Sequence, residues 1–398
     1  MRKIDLNNFQ VATSGTARDI NRRIVLNLIR KHQPVSRADL SRQSGLQRST
    51  VSAITEELIL QRWVSEGGVG HLPRGRKPKF LHLNDHRVGI IGINVRPVQT
   101  VLAVAGLDTN FLSRESMATG PDPDAFTLAL IRRIEALREA HPEVEYEAIG
   151  VALPGRVDLA THRLVFAPNL GWKPFDLKGP LEKATGLPVE LENAANACAL
   201  AELWSSRHGE SVRNLVALTI AEGIGVGMIL NGQLVTGSTG LAGEFGHVTV
   251  EENGPLCACG NRGCWEKCAS SSAAVKYYTE SHNGLSKGAP AGLTFDNLLK
   301  LVEQGDRKAG EALDRMAKYV GIGLAMLVRG LAPDVVVVVG EVTRAWGRVG
   351  PIVNAALDER VGTKRSVRIV PTDPDTEPRL RGTIALALQK HFGAPVVA

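Results

Sequence analysis

The chain has 398 residues, of which 43% are hydrophobic and 22% are charged. This length exceeds one ordinary hydrophobic core, and the composition excludes a disordered protein, so two or three folded domains are expected. No apolar run approaches the ~20 residues that span a bilayer. The first stretch, MRKIDLNNFQVATSGTARDI, lacks the apolar segment of a secretory signal. These features predict a cytoplasmic protein without membrane insertion.

Positive charge is concentrated near the amino terminus. Residues 1–85 contain 15 Lys and Arg against 7 Asp and Glu, a net charge of +8 in a chain whose total is +6. The remainder is therefore nearly neutral. A small basic module attached to a neutral body indicates a partner that carries phosphate groups.

The first predicted elements are three short helices. ARDINRRIVLNLIRKHQ has apolar residues at helical spacing. Ser36 and Asp39 predict a capping box at the start of a second helix, and Gly45 ends that helix. Two short helices joined by a Gly-containing turn predict a helix-turn-helix, whose second helix enters the DNA major groove. The polar residues free near the start of the third helix are the candidate DNA contacts Arg48, Ser49, Thr50 and Ser52.

The next segment, GGVGHLPRGRKPKFLHLN, predicts a hairpin with a basic tip. Arg74, Arg76 and Lys77 on this Gly/Pro-rich tip suit a DNA minor groove, whose negative potential attracts inserted arginine. Taken separately, the helices are also compatible with an ordinary three-helix bundle whose polar residues face solvent. The basic loop alone is also compatible with a solvent-exposed loop that binds nothing. Together they favour a winged helix-turn-helix over residues 1–85 that binds DNA.

From residue 86 onward, apolar strands alternate with helices. The predicted strands are VGIIGINV, TVLAVAGLD, YEAIGVALPG, LPVELEN, NLVALTIA and DVVVVVG. They predict an α/β domain over residues 86–398 with two lobes, approximately 86–208 and 209–398, and a C-terminal helix that is a candidate to return to the first lobe. Ligands of such folds bind at the carboxyl ends of strands, here in Gly-rich turns such as LPGRVD, ENAAN and AEGIGVG.

Four of the five cysteines lie within LCACGNRGCWEKC. In a cytoplasmic protein, clustered cysteines bind metal more often than they form disulfides. The spacing of Cys257, Cys259 and Cys264 suits a tetrahedral zinc, whose fourth ligand is either Cys268 or a histidine such as His247 of GEFGH. The ligand spacing of a DNA-reading zinc finger is absent. The cluster therefore predicts a structural zinc.

The segment GEFGHVTVEENGPLCACGNRGCWEKCAS resembles the signature of the ROK family of bacterial repressors and sugar kinases. The resemblance covers nearly the whole chain. Its amino-terminal part is similar to the repressor branch, which includes the xylose-operon and N-acetylglucosamine repressors. It implies a winged helix-turn-helix followed by an actin-like ATPase fold, with two ribonuclease-H-like lobes around a cleft. It also implies one structural Zn²⁺ per chain, held by His247, Cys257, Cys259 and Cys264, with Cys268 outside the site as a buried thiol.

Residues that the family's kinases need for catalysis are replaced in this chain. The catalytic Asp of a motif resembling ENDAN is Ala194, and a methyl group cannot accept the proton of a sugar hydroxyl. The first phosphate loop has Asn94 and Arg96 where an acid and a glycine are expected. Glu222 stands in the second phosphate loop, and Glu341 replaces a glycine on the adenosine side. The resemblance therefore implies a protein that is not an enzyme.

The sugar side of the cleft keeps the polar residues that the resemblance implies. Carboxylates accept hydrogen bonds from sugar hydroxyls, while amide and imidazole groups fix orientation. Each residue alone is compatible with a turn or a surface position, but together they favour binding of a monosaccharide or sugar phosphate effector. The candidate residues are Gly155, Arg156, Asn169, Asn193, Glu244, His247 and Glu266.

These patterns predict a sugar-responsive DNA-binding regulator, most simply a repressor of carbohydrate uptake or catabolism genes. Its expected partners are operator DNA and the effector, which shifts DNA affinity. It is expected to form a homodimer or homotetramer, because paired half-sites mirror protein symmetry. Two alternatives stay open: an ATP-dependent sugar kinase with a regulatory DNA-binding domain, and a regulator controlled by a protein partner from a sugar-transport system.

Overall fold

The computed structural model describes residues 13–69, 79–158, 161–167, 169–205, 208–209, 211–238, 240–282, 292–362 and 366–393. Within these ranges, no helix has both the length and the apolar character needed to cross a membrane.

The amino-terminal part consists of three helices and a small antiparallel sheet in which β3 lies between β1 and β2. The capping box is confirmed, because the Ser36 hydroxyl accepts a hydrogen bond from the Asp39 amide at 3.2 Å and the Ser36 amide donates to the Asp39 carboxylate at 3.3 Å. Gly45 ends the second helix with a φ of 72°. The elements are α1 (Ser14–His32), β1 (Val35–Ser36), α2 (Arg37–Ser44), α3 (Arg48–Leu60), β2 (Val64–Val69) and β3 (Lys79–Leu83).

The first lobe of the body is a five-stranded sheet in the order β10-β7-β4-β5-β6. β4, β7 and β10 are parallel, so their carboxyl ends meet at one edge, whereas β5 runs antiparallel to β4 and β6. The elements are β4 (Val88–Asn94), β5 (Gln99–Gly106), β6 (Phe111–Ala118), α4 (Pro123–Ala140), β7 (Glu145–Leu153), β8 (Arg156–Val157), β9 (Leu164–Phe166), α5 (Lys178–Thr185), β10 (Val189–Asn193) and α6 (Ala194–Ser205).

The second lobe repeats this plan with a sheet in the order β13-β12-β11-β14-β15. β11, β14 and β15 are parallel, and β12 is antiparallel to β11. Short 3-10 helices lie at Glu244–His247, Glu341–Ala345 and Pro374–Thr376. The elements are β11 (Leu215–Ile220), β12 (Ile224–Leu230), β13 (Gln233–Leu234), α7 (Trp265–Ala269), α8 (Ser271–Glu280), α9 (Phe295–Glu303), α10 (Arg307–Leu331), β14 (Val335–Val339), α11 (Trp346–Val361), β15 (Arg368–Pro371) and α12 (Pro378–Phe392).

Two helices lie between the sheets. The C-terminal helix α12 packs on the first-lobe sheet so closely that a Cβ on Gly150 would stand 1.9 Å from the Thr383 carbonyl oxygen. α6 packs on the second-lobe sheet through small residues such as Cys198 and Ala199. Gly382 of α12 meets the backbone of α6, with 2.2 Å from its would-be Cβ to the Ala197 oxygen. The molecule is therefore layered as sheet, α12, α6 and sheet.

The amino-terminal helices contact the body at the far ends of α6 and α12. The Asn27 amide of α1 donates to the Phe392 carbonyl at 2.8 Å. Arg30 donates to the Trp204 carbonyl at 3.0 Å, and its guanidinium lies 4.3 Å from the centre of the Trp204 ring. Trp63 contacts His391, with 4.4 Å between the ring centres and the ring planes tilted by 39°. These contacts join residues 13–69 to the two central helices.

Candidate functional site

One cleft lies between the two sheets, at the carboxyl ends of β4, β7 and β10 and against the β11–β12 turn. All of the residues that the sequence predicts to contact a sugar line this cleft, although they come from both lobes. They are Gly155, Arg156, Asn169 and Asn193 from the first lobe and Glu244, His247 and Glu266 from the second. The cleft also contains Ala194, at the start of α6.

The first-lobe wall is built around Gly155 and Asn193. Gly155 has a φ of 106°, and a Cβ there would lie 2.1 Å from the Phe166 carbonyl oxygen. Only glycine allows this approach. The Asn193 side chain donates to the Gly155 carbonyl at 2.6 Å and accepts from the Ala195 amide at 2.7 Å. Asn193 therefore ties the β7–β8 turn to the start of α6, in addition to its place on the cleft wall.

The second-lobe wall carries two carboxylates beside an imidazole. Glu244 Oε2 lies 3.6 Å from His247 Nε2. Burial raises the pKa of Glu244, while the neighbouring His247 and Arg156 oppose the rise. The Glu266 side chain is largely buried, and its Oε2 accepts a hydrogen bond from the Ile224 amide at 3.2 Å. Desolvated acceptors of this kind suit the hydroxyl groups of a polyol.

The predicted metal ligands come together directly behind this wall. One ligand atom from each of His247, Cys257, Cys259 and Cys264 lies within 4.8 Å of all the others. Cys257 Sγ is 3.5 Å from His247 Nδ1, and Cys259 Sγ is 3.5 Å from Cys264 Sγ. Bonds of about 2.3 Å to sulfur and about 2.1 Å to nitrogen around a tetrahedral Zn²⁺ give ligand separations of this size. The three thiols and the imidazole therefore fit a zinc ion.

The two ring nitrogens of His247 approach different groups. Nδ1 faces the cysteine thiols and Nε2 faces Glu244 in the cleft. Cys268 is buried in α7, and it is not part of the metal-ligand group found among the described residues. The geometry therefore favours His247 over Cys268 as the fourth ligand, the two options that the cysteine spacing leaves open.

Three charged residues at positions that the resemblance assigns to nucleotide binding lie close together, and two of them, Arg96 and Glu222, line the cleft. Arg96, in the β4–β5 loop, places Nη1 2.9 Å from Glu341 Oε1 and Nη2 3.1 Å from Glu222 Oε1. Glu222 stands in the β11–β12 turn and Glu341 follows β14. The three positions are far apart in sequence, yet they form one ion cluster between the lobes. The complementary charges were visible in the sequence, but the pairing was not predicted.

A model of the ROK family matches residues 90–390. The chain belongs to the ROK family. Among its relatives, the xylose repressor of Bacillus subtilis (strain 168) is 31% identical over 354 residues, which cover 88% of this chain and 90% of the repressor. The glucokinase of Thermotoga maritima is 36% identical over 241 residues, 58% of this chain and 74% of the kinase. The repressor match is thus the more extensive of the two.

Solved structures show the same difference. A ROK-family transcriptional regulator, described as a homologue of the Escherichia coli MLC protein, has a TM-score of 0.81 at 25% identity, covering 94% of this chain and 98% of its own. A ROK glucokinase from Streptomyces griseus, in complex with glucose and AMPPNP, has a TM-score of 0.67 at 29% identity, covering 76% of this chain and 99% of the glucokinase. This ROK chain therefore has the α/β, actin-like fold of both classes of protein.

The ROK regulator's match extends beyond the ROK domain itself. Because only a few residues follow residue 390, a match over 94% of the chain must include most of the residues before 90. The candidate DNA contacts of this segment lie at the surface in the first turns of α3, where Arg48 and Ser49 are exposed and Thr50 and Ser52 are half-buried. The other candidates, Arg74, Arg76 and Lys77, lie outside the described residues.

Sequence reasoning missed two further charged residues of the cleft. Glu192 accepts from the Asn196 side chain at 3.0 Å and from the Asn193 amide at 2.7 Å, and burial raises its pKa. Arg379, near the start of α12, also lines the cleft. No local motif marks Arg379, because it reaches the cleft through the return of α12 to the first lobe.

Proposed function

We propose that this protein is a transcriptional repressor whose cleft binds a monosaccharide or sugar phosphate and whose amino-terminal module binds operator DNA. The observation that carries the proposal is the convergence of seven predicted sugar-binding residues, from two lobes, on one cleft. The repressor relatives support it, because their similarity extends over most of the chain. An effector that contacts both walls binds one arrangement of the two lobes better than another. This difference in affinity is what allosteric control requires.

The chemistry of the walls suits a polyol. Glu244 and Glu266 provide carboxylate oxygens, His247 Nε2 and Asn169 provide polar groups of fixed orientation, and Arg156 provides a donor from the first lobe. Zn²⁺ bound to His247, Cys257, Cys259 and Cys264 would act structurally, fixing the histidine ring and the wall that follows it.

We further propose that the protein does not phosphorylate its ligand. Ala194 offers no proton acceptor at the start of α6, and loss of a general base alone costs about 10²–10⁴-fold in rate. Glu222 adds negative charge at the position of the second phosphate loop and Glu341 adds it on the adenosine side, and Arg96 is already paired with both. A coupled assay of ADP formation should therefore give no rate above background with any monosaccharide. ADP formation that requires one sugar would overturn this part of the proposal.

Residues 1–85 are proposed to form the DNA-binding domain, followed by the effector-binding body at 86–398. Arg48, Ser49, Thr50 and Ser52 would meet base edges or phosphates in the major groove. The basic tip with Arg74, Arg76 and Lys77 would enter a minor groove. A homodimer or homotetramer would present two such modules to paired half-sites.

The DNA assignment is tested by replacing Arg74 and Arg76 together with Ala. Operator affinity, measured by fluorescence anisotropy across salt concentrations, should fall, and the slope of log affinity against log salt should decrease by about 1–2. The matched control is Arg132→Ala with Arg133→Ala, which removes the same charge from exposed positions on α4. Equal behaviour of the two double variants would count against the wing.

A further inference from the structure

The ion cluster of Arg96, Glu222 and Glu341 crosses the cleft between the lobes. Arg96 belongs to the first lobe, and both carboxylates belong to the second. The side chains are 32%, 42% and 20% exposed, respectively, so the cluster is partly withdrawn from water. We refer to these three residues as the interlobe clasp.

The opposite charges of the clasp favour the charged forms of Arg96 and Glu341. Burial alone would lower the pKa of Arg96, but the charges of Glu341 and Glu222 raise it above its ordinary value. Burial alone would raise the pKa of Glu341, but Arg96 and then Arg379 bring it below its ordinary value. Removing Arg96 would therefore leave Glu222 and Glu341 without the cation that pairs with both of them.

The clasp is also continuous with the sugar-binding wall. Glu222 lies in the β11–β12 turn, and the Ile224 amide of that turn donates to Glu266 Oε2 at 3.2 Å. A Cβ on Gly223 would lie 2.4 Å from Glu266 Oε2 and 3.2 Å from Asn169 Nδ2. The turn thus fits directly between Glu266 of one lobe and Asn169 of the other. A change in the position of Glu222 would therefore displace the turn that packs against Glu266 and Asn169.

We propose that the interlobe clasp holds the two lobes at a fixed approach and so positions the two halves of the effector site without any nucleotide. Arg96, Glu222 and Glu341 are positioning residues, because they act on the effector through the turn and the walls that it separates. The sugar-binding part of this inference rests on the proposed function. An effector that needs both walls binds only the closed arrangement, so its apparent affinity falls with the fraction of molecules in that arrangement.

The test compares three variants with the full-length wild type: Arg96→Ala, Glu222→Gln with Glu341→Gln, and all three changes together. Arg348→Ala is the control, because Arg348 pairs with Asp314 at 2.7 and 2.8 Å within the second lobe and does not cross the cleft. Isothermal titration is carried out with D-xylose, D-glucose and N-acetyl-D-glucosamine. Hydrogen exchange of peptides covering residues 221–226 is measured without ligand.

Arg96→Ala is expected to raise the dissociation constant of the bound sugar on the order of 10-fold. The triple variant should lose less affinity than Arg96→Ala, because it leaves neither carboxylate without Arg96 as its cation, whereas loss of packing alone would make it at least as weak. Arg348→Ala should bind like wild type. An unchanged dissociation constant in Arg96→Ala overturns the inference.

The ligand-free measurement separates failure of the clasp from failure of the proposed function. Breaking the clasp should speed exchange at the Ile224 amide, whatever the effector is. If wild type binds none of the sugars, the proposed function loses its support, and the clasp is judged by exchange alone. Wild-type exchange rates in both Arg96→Ala and the double glutamine variant would reject it.

Discussion

At the scale of single residues, His247 links two parts of the molecule, because its ring faces both the thiol cluster and the cleft. Its Nδ1 approaches Cys257 Sγ and its Nε2 approaches Glu244. A metal bound to Nδ1 would fix the tautomer and the ring plane, and with them the direction in which Nε2 points. The zinc would thus stabilise a ligand-binding wall without itself touching the ligand.

Two buried cysteines provide a matched test of this assignment. Cys257→Ala should abolish stoichiometric zinc binding and weaken sugar binding, because a ligand of a closed four-ligand site is lost. Cys268→Ala, at a thiol of similar burial outside the cluster, should keep one zinc per chain. Zinc content is measured by atomic emission on purified protein. A full zinc complement in Cys257→Ala would contradict the ligand set.

Asp85 is a second informative residue, in the turn between β3 and β4. Burial and then the nearby charge of Asp108 raise its pKa to about 6, and its Oδ1 has no hydrogen-bond partner among the described residues. The folded protein therefore binds a proton here that the unfolded chain releases at lower pH. This contribution lowers the free energy of unfolding as pH rises through the window from the ordinary value of 3.8 to about 6.

Asp85→Asn removes this charge while keeping the side-chain shape. The variant should melt at a higher temperature than wild type at pH 8, and the difference should shrink as the pH falls towards 4. Differential scanning calorimetry at several pH values measures both proteins under the same conditions. A difference that does not depend on pH would show that the ionised carboxylate is not destabilising.

At the scale of elements, local signals in the sequence decide some boundaries. α2 begins at the capping box of Ser36 and Asp39 and ends at Gly45, as the sequence predicts. Gly45 has a left-handed conformation. The cap satisfies backbone amides that the helix cannot pair internally. α3, which follows after a short turn, buries Val51, Ile54 and Leu58 against the other helices.

Ser36→Ala tests how much this cap contributes. The free energy of unfolding of the amino-terminal helices should fall by about 1 kcal/mol. Ser49→Ala, at an exposed position of α3, should change it by less than about 0.5 kcal/mol. Urea unfolding followed by circular dichroism gives both values. Equal effects of the two substitutions would mean that the cap is not a determinant of stability.

Other elements needed the three-dimensional structure. AEGIGVG reads as one Gly-rich turn, but residues 224–230 form strand β12 and only residues 221–223 turn. Gly225 and Gly227 are required by packing, because a Cβ on Gly227 would lie 2.1 Å from the Ala195 oxygen of α6. A close contact between distant segments leaves no periodic trace in the sequence. The apolar strands and the cysteine spacing do leave one. The residues that the ROK resemblance implied for sugar line one cleft, and those that it implied for zinc form one cluster, while their roles stay predictions.

At the scale of the whole molecule, α6 and α12 connect the cleft with the amino-terminal helices. α6 begins at Ala194 in the cleft. Near its other end, the Trp204 carbonyl accepts a hydrogen bond from Arg30 of α1. α12 has 15 residues, a length of about 22 Å, with Arg379 in the cleft and Phe392 against Asn27 of α1. We expect a shift between the lobes to move the ends of these helices against α1. We expect the signal to pass through this contact.

Arg30→Ala should weaken this coupling without touching the effector site. Sugar affinity should stay at the wild-type value, while the ratio of operator affinities without and with sugar should fall by about 3- to 10-fold. Titration calorimetry measures the first quantity, and fluorescence anisotropy of labelled operator measures the second. An unchanged ratio would show that the signal passes elsewhere.

The central claim is that a sugar controls operator binding without nucleotide or phosphoryl transfer. It is tested most directly by adding a panel of monosaccharides and sugar phosphates to the operator complex in a mobility-shift assay, with and without ATP. The account predicts that one of these ligands releases the DNA, and that ATP neither is required nor is consumed. Release that depends on ATP hydrolysis, or operator binding that no ligand of the panel changes, would contradict it.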